Sequence, residues 1–129
     1  MKRCLIFDNA PIIRKVAKRI LTSEDMVVIE AESGRDTLAK SEFDMADYYI
    51  IDAGVRDMEL NDLIAALRKL KANAKPFIIV SMHELDLITM TRAKRVGAND
   101  LLLKPFDRKV LLEQFNVFRG AAEAKARAA

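Results

Sequence analysis

The sequence is poor in the residues that staple or punctuate a chain: no tryptophan, one cysteine, one histidine, three prolines and four glycines among 129 residues. The lone cysteine, Cys4, excludes an internal disulfide and fits a reducing, cytoplasmic setting. It sits in an apolar run, where a small buried side chain is expected rather than a reactive thiol. The lone histidine, His83, is expected at the surface rather than in catalysis. No apolar run approaches the roughly 20 residues that span a bilayer, so no membrane segment is predicted. The opening MKRCLIFDNA places an acid straight after a short apolar run and so does not read as a signal peptide.

Charge of one sign is also missing. Twenty-two basic residues against 19 acidic ones leave +3, spread along the chain, which argues against a basic patch for nucleic acid. No repeat, linker or low-complexity stretch divides the sequence. The one shift in composition comes at Gly120, followed by AAEAKARAA. We therefore expect one domain over residues 1–119 and a short tail, 120–129, in a frayed helix.

Short apolar runs alternate five times with longer amphipathic stretches. The predicted strands are Cys4 to Phe7, Met26 to Ile29, Tyr48 to Ile51, Phe77 to Val80 and Leu101 to Leu103. Between them lie helical patterns: one from Pro11 with Ile12, Ile13, Val16, Ala17, Ile20 and Leu21; one around Arg35 to Ser41; one with Leu60, Leu63, Ile64, Leu67 and Leu70. A fourth helix runs from about Glu84 to Val96 and is stopped by Gly97. Asp107 caps a last one with Val110, Leu111, Phe115 and Phe118 on its apolar side.

Strands that are continuous apolar runs belong to a parallel sheet covered on both faces. The expected class is α/β, a doubly wound five-stranded parallel sheet with helices on both faces and right-handed crossovers. Periodicity does not give strand order, but five strands in this length fit the flavodoxin-like order 2-1-3-4-5. Ligands bind beyond the carboxyl ends of such strands. The first strand ends in Asp8-Asn9, the third in Asp52, the fourth in Ser81 and the fifth in Lys104.

That set has a chemical logic. Asp8, Asn9 and Asp52 are hard oxygen ligands suited to Mg²⁺. A carboxylate can act as nucleophile toward phosphorus. Phosphoryl transfer needs positioning and cancellation of charge on the equatorial oxygens, for which Lys104 offers a cation and Ser81 a neutral donor.

On LIFDNAPIIRKV, EAESG, YYIIDAG, FIIVS and GANDLLLKPF, the chain resembles the bacterial response-regulator receiver domains across nearly all of residues 2 to 119. The resemblance implies that Asp52 is the phosphoacceptor, Ser81 the switch hydroxyl and Lys104 the lysine before what is usually a cis peptide, here to Pro105. It implies a Mg²⁺ site from Asp8, Asn9, Asp52 and the carbonyl of Gly54. A histidine kinase or histidine phosphotransfer protein would donate the phosphoryl group. A downstream protein would read the face formed by the fourth helix, fifth strand and fifth helix, and a homodimer formed on phosphorylation stays open. A haloacid-dehalogenase-like phosphatase would want a second Asp where this chain has Ala10.

Four departures from the family pattern stand out. Asn9 replaces the second acid, so cation binding should be weaker; Asn9 could also serve only as a helix cap. The loop Ala53 to Leu60 lacks Pro and has one Gly, so it should be loosely held, with Arg56 and Asp57 near the site. Leu101 stands where the family has an aromatic switch residue. Met82 is bulkier than the residue expected there and could cover the site or narrow its entry. Arg92, Lys94 and Arg95, late in the fourth helix, read by default as a solvated face.

The expected function is a phosphorylation-controlled receiver in two-component signalling that catalyses only its own phosphorylation and dephosphorylation. Too little sequence follows Phe118 for an output domain, so the expected output is protein binding or phosphoryl relay. The alternative is a pseudo-receiver, an interaction module that needs no phosphate.

Overall fold

A computed structural model describes residues 1–71 and 73–128. The elements follow in the order β1 (Lys2–Phe7), α1 (Pro11–Leu21), β2 (Met26–Ala31), α2 (Gly34–Phe43), β3 (Tyr48–Asp52), α3 (Leu60–Leu70), β4 (Phe77–Met82), α4 (Leu87–Val96), β5 (Asp100–Leu103) and α5 (Arg108–Ala128). All pairings in the five-stranded sheet are parallel and the order is β2-β1-β3-β4-β5, as expected.

The strand residues sort by parity onto the two faces, as the pleat requires. Leu5, Phe7, Tyr49, Ile51, Ile78 and Val80 pack with Leu63, Ile64 and Leu67 of α3 and Met90 and Ala93 of α4. Cys4, Ile6, Tyr48, Ile50, Phe77, Ile79 and Leu102 face the other way, onto Ala17 and Leu21 of α1 and Leu111, Phe115 and Phe118 of α5. On that side the Tyr48 and Phe115 rings pack at a tilt of 55° with centroids 5.1 Å apart. The buried Tyr49 hydroxyl is satisfied: it donates to Ser41 Oγ (2.7 Å) and accepts from the Ala46 amide (3.1 Å).

Helix ends follow their caps. Ser33 caps α2 by accepting from the Asp36 amide (2.9 Å), and Asp107 caps α5 by accepting from that of Val110 (2.8 Å). The fourth helix starts at Leu87 rather than near Glu84, because Asp86 takes the cap position and accepts from Thr89 N–H (3.0 Å). It stops at Gly97, whose φ of 125° suits glycine, and whose absent Cβ makes room for Arg68. The fifth helix passes Gly120 without a break and takes in the predicted tail as far as Ala128.

Two predicted apolar faces are wider than the buried ones. On α1 only Ala17 and Leu21 are fully buried, while Ile12 and Val16 are exposed. On α5, Val110 is 41% exposed, because the sheet-facing stripe runs through Leu111, Phe115 and Phe118. The loop after β3, expected to be loosely held, is tied down by Asp57. Its carboxylate accepts from the amides of Gly34 and Arg35, both at 2.9 Å, at the start of α2. The bond from the Arg35 amide and then that from Gly34, which outweigh the slight burial, hold the Asp57 carboxyl below the usual range.

Two measurements follow. In urea denaturation, Phe115→Ala should lower stability by about 3–5 kcal/mol, whereas Val110→Ala should change it by about 0.5 kcal/mol or less. A group depressed in the folded state stabilises fully above its unfolded pKa, about 3.9 for Asp, and that contribution is lost as pH falls through the folded value. The difference in urea midpoint between the native chain and Asp57→Ala should therefore be constant near neutrality and close on acidification below that range.

Candidate functional site

Parity also gathers the polar strand ends. Asp8, Asp52, Ser81 and Lys104 each lie two residues beyond a side chain that faces α1 and α5, namely Ile6, Ile50, Ile79 and Leu102. They therefore emerge on one face of the sheet at its carboxyl edge, on neighbouring strands. Asp52 and Ser81 are direct register partners. All four are nearly sealed, at 2%, 7%, 1% and 4% exposed, which is rare for charged side chains unless they are paired.

The pairing is there. Lys104 Nζ lies 2.9 Å from Asp8 Oδ2 and 3.2 Å from Asp52 Oδ1, bridging the two carboxylates. Two negative charges against one positive leave the cluster net negative. The backbone completes it: the Ala10 amide donates to Asp8 Oδ1 (2.9 Å), the Gly54 amide to Asp52 Oδ1 (3.0 Å) and the Asn9 amide to Asp52 Oδ2 (3.2 Å). Burial alone would raise the Asp52 carboxyl, but the Gly54 and Asn9 amides and the Lys104 charge together hold it below the usual range. Asp52 is thus an ionised carboxylate, the form a nucleophile needs. The Lys104–Pro105 peptide is cis.

The Ser81 hydroxyl has no hydrogen-bond partner among the described residues although it is buried. An orphaned buried donor one strand from an ionised carboxylate suits a ligand that brings its own acceptor oxygens. The carboxylates of Asp8 and Asp52 and the carbonyl of Gly54 are oxygen donors of the kind a hard divalent cation takes. Among the described residues no three His, Cys, Asp or Glu side chains gather as metal ligands; Asn9 stands where a third carboxylate would complete such a set.

Asn9 itself does not cap α1. Ala10 holds the cap position without a side-chain bond, and the Asn9 side chain turns instead toward Asp52 and Gly54. Met82 has the opposite parity to Ser81 and is buried on the α3–α4 side, where its sulfur accepts from Asp86 N–H (3.4 Å). It is core there, not the cover over the site that its bulk suggested. Leu101 shares that parity and packs, partly buried, against the same cluster. His83, Arg92, Lys94 and Arg95 are exposed.

One contributor went unread in the sequence. Arg14 Nη1 donates to the Asp8 carbonyl (2.7 Å) and Nε lies 3.3 Å from Glu30 Oε1, so it fixes the end of β1 against β2. Its place one turn into α1 after the Asp8-Asn9 pair was the available signal. A cleft of about 960 Å³ lies at the opposite, amino edge of the sheet, and Arg68 in its wall donates to the carbonyls of Pro76 and Gly97 and to Asn99 Oδ1. The charged chemistry lies at the other edge, around Asp52.

Residues 4–116 match the family model of the response regulator receiver domain. The chain is 30% identical to the chemotaxis protein CheY of Thermotoga maritima over 116 residues, covering 89% of this chain and 95% of that one. It is 29% identical over 117 residues to protein PilH of Pseudomonas aeruginosa, covering 90% and 96%. The crystal structure of a CheY-like receiver domain protein from Methanospirillum hungatei superposes with a TM-score of 0.84 at 26% identity, covering 97% of this chain and 98% of that one. With its sheet order, its buried Asp–Lys–Asp cluster and these likenesses together, the chain belongs to the response regulator receiver domains, of the CheY type.

Proposed function

We propose that Asp52 accepts a phosphoryl group from a phosphohistidine on a histidine kinase or phosphotransfer protein, and that this switches binding to a downstream protein. The observation that carries it is the juxtaposition of an ionised Asp52, a buried Lys104 3.2 Å away and a buried, unpartnered Ser81 hydroxyl on the adjacent strand. An Asp52 carboxylate oxygen forms the new bond to phosphorus. The bond from phosphorus to the donor nitrogen breaks, and its electron pair stays on the imidazole. Lys104 offsets charge on the acyl phosphate and Ser81 donates to one of its oxygens. Asp8, Asp52 and the Gly54 carbonyl would hold Mg²⁺; Asn9, expected as a fourth ligand, turns its Nδ2 rather than its oxygen to this place. When bound, Mg²⁺ supplies positive charge to the transferring phosphoryl group. The chain catalyses only its own phosphorylation and hydrolysis.

For output, Leu87 and Ile88 on α4, Leu103 on β5, and Val110 and Val117 on α5 are exposed apolar side chains on the three elements expected to face a target. Ile12 and Val16 on α1, just after the Asp8-Asn9 pair, give the phosphoryl donor an apolar surface of its own. The setting is the cytoplasm. Among the described residues no helix is long and apolar enough to cross a membrane.

Acetyl phosphate with Mg²⁺ should add one phosphoryl mass to the intact protein, and Asp52→Asn should abolish it. Ser81→Ala should slow that modification roughly tenfold, the value of one hydrogen bond to a charged group. No modification of the folded chain at millimolar Mg²⁺ would favour a pseudo-receiver instead.

A further inference from the structure

Asn9 does more than lower the charge of the site. Its side-chain Nδ2 lies 2.7 Å from the Gly54 carbonyl oxygen and 3.2 Å from Asp52 Oδ2. Both neighbours are acceptors without a proton, so only the NH₂ end of the amide can face them. These are also two of the oxygens that the proposed Mg²⁺ site requires.

The Asp52 carboxylate is largely occupied by the chain itself. Oδ1 accepts from the Gly54 amide and pairs with the Lys104 ammonium, and Oδ2 accepts from the backbone and side-chain amides of Asn9. Three hydrogen bonds and the Lys104 ammonium, 3.2 Å from Oδ1, leave little of a carboxylate's roughly four lone-pair positions open. A cation that takes Asp52 Oδ2 together with the Gly54 carbonyl must displace one of these donors. Two of them are backbone amides fixed by the strand ends, and the third is a buried ammonium that also holds Asp8. The Asn9 side chain is neutral, only half-buried and free to turn about its own bonds.

We propose that the Asn9 amide is a built-in occupant of the cation position, which closes the receiver in the absence of Mg²⁺ and must swing out before metal or phosphoryl donor can engage Asp52. The proposal rests on the Mg²⁺ reading of this site. A donor NH₂ gives the two oxygens part of what a cation would give them, so the metal-free site is satisfied without one. Metal entry and nucleophile exposure then become one movement of one side chain.

Mg²⁺ alone is the probe, titrated by calorimetry and amide spectra into the native chain, Asn9→Ala and Asn9→Asp. Asn9→Ala removes the competitor and should bind Mg²⁺ about fivefold more tightly than the native chain, the value of roughly one net hydrogen bond. Asn9→Asp should bind more tightly still. In the native chain the Asn9 side-chain NH₂ should exchange slowly with solvent and exchange faster once Mg²⁺ is added, a readout that stands even if a variant misfolds. Equal or weaker binding by Asn9→Ala would overturn the proposal and make Asn9 a ligand instead of a blocker, as would an NH₂ exchange rate indifferent to Mg²⁺. If Asn9→Asp too, folded by its amide dispersion, binds no Mg²⁺, the metal-site reading falls and takes the proposal with it.

Discussion

The bridge from Lys104 to Asp8 and Asp52 is the interaction on which the arrangement depends. Three charges are buried at one sheet edge, where Lys104 offsets both carboxylates and they in turn offset it. The bridge joins residues 96 positions apart in the chain, so it exists only when β1, β3, β4 and β5 lie side by side in one register. A one-residue slip of β1, β3 or β5 would turn its end to the opposite face and leave a buried charge unpaired. The apolar alternation that builds the core thus also aims the charges.

Around the bridge the backbone adds donors of its own to the two carboxylates. Amides of Asn9, Ala10 and Gly54 all point at them, which keeps Asp52 ionised in spite of its burial. The exception is Ser81, whose buried hydroxyl has no partner among the described residues although Asp52 is its register neighbour. A spare buried donor beside an ionised carboxylate suits an incoming group rich in acceptor oxygens.

Much of this was legible in the sequence because strand ends are punctuated there. Five apolar runs, each closed by a polar residue, gave the sheet, and Asp8, Asp52, Ser81 and Lys104 fell where a parallel sheet exposes its carboxyl edge. Other features were not legible, for a common reason. Helical periodicity marks which residues could be buried, and the sheet has room for one stripe, so Ile12, Val16 and Val110 stay outside. Met82 looked like a cover because bulk was weighed without parity; position 82 faces α3 and α4 whatever occupies it. Asp57 reads as a loop acid, and only the approach of the β3–α3 loop to α2 makes it a second cap on that helix.

By itself the sequence determined the element order, the class of sheet and the identity of the groups at its carboxyl edge, because local propensity and strand-end chemistry are written residue by residue. Tertiary structure decided what those groups do to one another. Whether Asn9 shows its oxygen or its nitrogen to the site depends on the Gly54 carbonyl and the Asp52 carboxylate, more than forty residues away. Whether Asp52 is ionised depends on how many donors the fold brings to it. Both are sums over neighbours that only a closed sheet can assemble.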